Sequence, residues 1–113
     1  MNELSKFEID ETFGKIIREY RLSHGLTQDK LSEQLDISLK YISRLENGKG
    51  GIKTETLIKC INVLGISPNI LYKKFITNTK LLKDIDLYEK INNLSDENQL
   101  LIISMIDLLN LNK

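Results

Sequence analysis

The stretch from Thr27 to Gly48, TQDKLSEQLDISLKYISRLENG, decides the fold. Thr27 is placed to cap a helix over Gln28 to Leu35, in which Leu31 and Leu35, four positions apart, share an inward face. A few residues later Ser38 is placed to cap another helix that runs through Glu46, with Ile42 and Leu45 inward and Asn47-Gly48 as its stop. So short a connection leaves room only for a tight turn, and the two helices are expected to pack as a pair.

Working outward, Asp10 or Thr12 is the expected cap of a first helix that carries Phe13, Ile17 and Tyr20 on one face and stops at Gly25. On the other side, the loop NGKGGIK leads to Thr54, the expected cap of a fourth helix that turns Leu57, Cys60, Ile61 and Leu64 to the core and ends at Gly65. Ser67-Pro68 supplies a cap and a first-turn proline for a short fifth helix reaching about Phe75. No stretch shows sustained alternation or β-branched enrichment, so the fold class is all-α. The expected organisation is a tail over 1–10, a five-helix domain over 11–75, a linker over 76–80 and a helical hairpin over 81–113.

In that hairpin, Leu81, Ile85, Tyr88 and Ile91 mark a sixth helix, and Ser95 followed by Asp96 and Glu97 opens a seventh that runs to about Leu111. On a helical projection Leu101, Ile102, Met105, Ile106, Leu108 and Leu109 form an arc of about 160°, with Leu100, Ile103 and Leu111 outside it. One small neighbouring helix cannot cover that much apolar surface. A second copy of the chain is therefore the expected partner, with Leu100, Ile103, Ile106 and Leu111 as its candidate contacts. The alternative is a hairpin that folds wholly onto its own core.

The chain has 113 residues, 41% hydrophobic and 28% charged, with 16 basic residues against 16 acidic ones. That is the composition of a single globular domain, neither disordered nor collagen-like. One cysteine, Cys60, and one histidine, His24, leave no internal disulfide and no Cys- or His-based metal site. The longest purely apolar run, Leu100 to Ile103, is far short of the roughly 20 residues that cross a bilayer, and MNELSKFEID lacks an apolar signal core; a cytoplasmic protein is expected. The zero net charge conceals an asymmetry. Residues 14–80 carry twelve basic and six acidic groups, whereas 1–13 carry one basic and four acidic, and 81–113 three and six. A basic module between acidic flanks suits a polyanionic partner.

Catalysis finds no support. His24 stands beside a helix-ending glycine with no nucleophile partner, and Cys60 reads as a small core hydrophobe. GKGGIKT looks like a phosphate loop but has Ile52 where that motif needs glycine before Lys-Thr, and no strand precedes it. Asp84, Asp86, Asp96 and Glu97 lack the ligand order and loop glycine of a calcium site. No cofactor is expected.

The 27–48 pair has the geometry that presents one helix to a DNA major groove. With FGKIIREYRLSHGLTQ before it and TETLIKCINVLGISPNILY after it, the stretch resembles the phage-repressor and Cro type of helix-turn-helix, also called the xenobiotic-response-element family. The resemblance covers about residues 11–75. Two positions depart from it: Asp36 stands where the family usually has glycine, and Ser32 where it usually has alanine. It implies a sequence-specific transcriptional regulator, a dimeric repressor on an inverted-repeat operator of double-stranded DNA. The third helix would read bases through Leu39, Lys40 and Arg44, with Ser43 a further candidate on that face. Gln28, and with it Asn47, Lys49 and Lys53 in the following loop, would hold phosphates, and Arg21 would pair with Glu46 as a structural tie. Tyr41 reads as a half-packed side chain rather than a base-stacking one. The competing reading is an antitoxin that uses the same fold to bind a toxin and its own promoter, a case that a co-transcribed toxin gene would favour.

Overall fold

The computed structural model describes residues 5–111. Within them the chain forms α1 (Lys6–Ser23), α2 (Gln28–Leu35), α3 (Leu39–Glu46), α4 (Thr54–Leu64), α5 (Pro68–Tyr72), α6 (Thr79–Asn92) and α7 (Asp96–Asn110), with a 3-10 turn, Lys73–Phe75, extending α5. No strand occurs among the described residues, and the fold is all-α. It divides into two compact units, one ending at Phe75 and the other beginning at Ile76.

The caps around the central pair are those the residue types favour. Thr27 Oγ1 accepts from the Lys30 N–H and Ser38 Oγ from the Tyr41 N–H, each at 3.1 Å, satisfying amides that a helix start leaves orphaned. Between the helices Asp36 takes the left-handed conformation, φ 53° and ψ 49°. Aspartate tolerates that region because its short polar side chain bonds locally, so it serves here where glycine is usual.

Three boundaries differ from the sequence expectation. Ser5, not Asp10 or Thr12, caps α1, through a 3.4 Å bond from the Glu8 N–H. Residues 6–10 are therefore helical rather than part of a tail, and residues 1–4 lie outside the described region. Both kinds of cap are chemically adequate; the longer helix wins because Ile9 packs against the core, which gives its first turns something to bury. At α4, Lys53 occupies the cap position without a side-chain bond and Thr54 is already helical. The expected 76–80 linker shortens because Asn78 caps α6, its side chain accepting from the Leu81 N–H at 3.1 Å.

The core of the first unit joins Phe13 and Ile17 of α1 to Leu31 and Leu35 of α2, Ile42 of α3, and Leu57, Cys60 and Leu64 of α4. Ile66 and Leu71 complete it. Phe13 meets Tyr72 edge-on, 5.4 Å between ring centroids and 89° between planes, which seats α5 on α1. Burial pushes the Cys60 thiol up to about 11, and the charge of Glu46 acts in the same direction. Protonated and fully buried, it is a packing group rather than a nucleophile.

The second unit is different. Helices α6 and α7 pack together with Leu82, Ile85, Ile91 and Ile102 only half-buried, and none of its described residues is buried. Leu100, Ile103 and Ile106 of α7, and Leu111 at its C-terminal cap, are 65%, 51%, 46% and 79% exposed. Leu101, Met105, Leu108 and Leu109 are exposed as well, so uncovered apolar side chains stand on more than one side of the helix, interrupted by Ser104, Asp107 and Asn110. No described helix is long and apolar enough to cross a membrane.

Candidate nucleic-acid interface

Helix α3 is built with two faces. Ile42 and Leu45 are buried, whereas Leu39, Lys40 and Arg44 are exposed and Ser43 is half-buried. All four expected base-reading residues thus lie away from the core, on a helix held by its neighbours α1 and α2. The Arg44 side chain lies across the following loop, close enough that a β-carbon on Gly50 would stand 2.8 Å from Nη2. Asn47, Lys49 and Lys53 are exposed along that loop.

The tie beneath this surface is a buried network. Arg21 Nε donates to Glu46 Oε2 at 2.7 Å and Nη2 donates to Oε1 at 2.9 Å, a bidentate pair, while Nη1 donates to the Leu26 carbonyl at 2.8 Å. The side chains are 9% and 2% exposed. Hydrogen bonding to Glu46 holds the Arg21 guanidinium protonated more firmly than usual, and the charge of Glu46 adds to it, against the opposing effect of burial. With every nitrogen of the fork directed at an acceptor, the pair fixes the end of α3 against α1. The network also has a member that the sequence did not indicate. Gln28 Nε2 donates to Glu46 Oε1 at 3.2 Å, so the side chain expected to meet a phosphate is already oriented by the tie.

Two further residues escaped the sequence reading. Gly14, buried in the middle of α1, lets the end of α3 approach so closely that a β-carbon there would stand 2.1 Å from the Leu45 carbonyl oxygen. A glycine inside an otherwise amphipathic helical pattern was the available signal. Tyr41 is half-buried, as expected, but its hydroxyl also accepts from the Lys53 backbone N–H at 3.1 Å, for which no sequence signal exists.

The sequence pattern of a helix-turn-helix family matches residues 17–71, the segment that contains this surface and its supports. The regulator ImmR of Bacillus subtilis is 30% identical over 96 residues, covering 82% of this chain and 76% of that protein. The chain belongs to the Cro/C1-type helix-turn-helix family of DNA-binding transcriptional regulators. The antitoxin PezA of Streptococcus pneumoniae is 32% identical over 76 residues, 67% of this chain but 46% of the antitoxin, so the chain spans less than half of that relative. Among solved structures, the clp gene regulator ClgR of Corynebacterium glutamicum aligns with a TM-score of 0.52 at 31% identity, covering 56% of this chain and 82% of the other. The Asp36 and Ser32 departures from the family pattern are absorbed locally: the first by its left-handed turn, the second because the buried Ser32 Oγ donates to the Asp29 carbonyl at 2.6 Å.

Proposed function

We propose that this family member is a dimeric repressor that reads an inverted-repeat operator with α3. The observation that carries the reading is the exposed Leu39, Lys40 and Arg44 face on a helix whose opposite side is locked by Ile42, Leu45 and the Arg21–Glu46 pair. A rigidly backed helix delivers side chains to base edges in a set register, and arginine can bond guanine bidentately. Arg44 leaves Gly50 to do so, a movement of a side-chain end only. Lys49, Lys53, Asn47 and the α2 start at Gln28 supply phosphate contacts, which position without reading. No step in this function calls for catalysis. Binding-site selection from random duplexes tests it: enrichment of an inverted repeat is expected, and recovery of no preferred sequence would overturn it.

Base reading and phosphate anchoring separate by mutation. Arg44→Ala is expected to lose about 1–3 kcal/mol on the selected operator, with little loss on scrambled duplex. Lys49→Ala should weaken both duplexes alike and lower the salt slope by about one unit per contact removed. Titrations of both variants at two salt concentrations check this; equal losses for Arg44→Ala on both duplexes would make its side chain a phosphate contact.

The dimer rests on the second unit. A unit of fewer than about 40 residues seldom holds its fold without a disulfide, a metal or a partner, and this one has no buried residue among those described. Exposed apolar side chains in such number belong against a partner. A second copy supplies the missing cover through Leu100, Ile103, Ile106 and Leu111 and the apolar residues between them. A dimer on an inverted repeat meets two half-sites about 34 Å apart, one turn of DNA. Truncation after Phe75 should leave a folded monomer, since the first unit has its own core, with operator affinity reduced at least tenfold through loss of the second half-site. Sedimentation showing the truncated chain to be as dimeric as the full one would refute the assignment.

A second reading, an antitoxin that binds a toxin as well as its promoter, is favoured by the similarity to PezA. Co-purification with the product of an adjacent small gene, and relief of that product's toxicity, would support it.

A further inference from the structure

Between α3 and α4 the chain runs Asn47-Gly48-Lys49-Gly50-Gly51-Ile52-Lys53. So many glycines give this loop more backbone freedom to lose than any other segment. Its near end is tied to α3, the Gly48 N–H donating to the Leu45 carbonyl at 3.1 Å and the Lys49 N–H to the Arg44 carbonyl at 2.9 Å. Gly50 and Gly51 follow. The far end is held by Tyr41, on the recognition helix itself, whose hydroxyl accepts from the Lys53 N–H at 3.1 Å. Beside it Ile52 packs half-buried on the core.

We propose that Tyr41 is a positioning residue for DNA binding, its hydroxyl latching the Lys49-to-Lys53 loop to α3 so that phosphate contacts and base contacts keep one register. The proposal rests on the DNA-interface reading above and names a residue that this reading leaves unassigned. An unlatched loop must freeze the Gly50-Gly51 backbone when it meets DNA, which weakens every complex it enters. A latched loop meets that cost on folding instead, and the bond responsible goes to a backbone amide, so its effect is blind to base sequence.

Tyr41→Phe tests this in the full chain, because it keeps the ring and removes only the hydroxyl. The Lys53 amide should exchange roughly 2- to 10-fold faster in the free protein, the span of one net hydrogen bond. Both the duplex recovered by selection and a scrambled duplex should bind about 2- to 10-fold more weakly, with their ratio unchanged and the melting temperature lowered by only a few degrees. Faster exchange with unaltered affinity would reduce the bond to a structural detail and overturn the proposal. Weaker binding with unaltered exchange would overturn it too, since Tyr41 would then touch DNA directly. A changed ratio between the duplexes would make Tyr41 a base reader. If the parent protein binds neither duplex, the DNA-interface reading falls and the latch with it; if the parent binds and the variant matches it, only the latch falls.

Discussion

Glu46→Ala is expected to destabilise the protein by about 3–5 kcal/mol, the cost of stranding one member of a buried ion pair. The guanidinium left behind is 9% exposed and keeps only its bond to the Leu26 carbonyl, so two of its nitrogens lose their acceptor without gaining water. Gln28 loses its acceptor as well. Arg21→Ala should cost a similar amount, because it strands a carboxylate that is 2% exposed with a single amide donor remaining. The double replacement Arg21→Met with Glu46→Leu should be less harmful than either single change, since desolvating two charges offsets most of what their attraction returns. Urea titrations rank these variants against the parent, and adding the matching Arg21→Ala with Glu46→Ala double replacement gives the coupling energy. A Glu46→Ala variant within about 1 kcal/mol of the parent would mean that the pair behaves as an exposed one.

Gly14→Ala is expected to lower stability by about 3 kcal/mol or more, against what helix propensity alone dictates. In an isolated helix the same change is favourable by roughly 1 kcal/mol. Here the new β-carbon stands 2.1 Å from the Leu45 carbonyl oxygen and 3.2 Å from the backbone carbon of Glu46. Backbone atoms cannot swing aside as a side-chain end can, so α3 itself must move, and overpacking of this kind outweighs the propensity gain. Moving α3 away from α1 also stretches the 2.7 and 2.9 Å bonds between Arg21 and Glu46. Thermal denaturation should show a fall of roughly 10–20 °C for a domain of this size. A variant more stable than its parent would show that α3 has room to retreat.

Much of this molecule was legible in its amino-acid order because the deciding signals are local. The capping hydroxyls of Thr27 and Ser38, the left-handed Asp36, and the glycine stops at Gly25 and Gly65 act within a few residues of themselves. They therefore mark α2 and α3 to the residue. Three- and four-residue spacing was likewise enough to send Ile17, Leu31, Leu35, Ile42 and Leu64 to the core. The start of α1 was misread because Ser5, Asp10 and Thr12 are all competent caps, and local chemistry does not choose between them. The packing of Ile9 does.

What the sequence determined by itself was the all-α class, the central helix pair and the face of α3 that stays in solvent, since each depends on periodicity and on capping over one or two turns. What only the tertiary structure decided was the close approach at Gly14, the entry of Gln28 into the Arg21–Glu46 network and the bond from Lys53 to Tyr41. These join residues that are far apart in the chain or on different elements. Their existence depends on helices meeting at particular distances, and side-chain packing in three dimensions, not residue order along one helix, sets those distances.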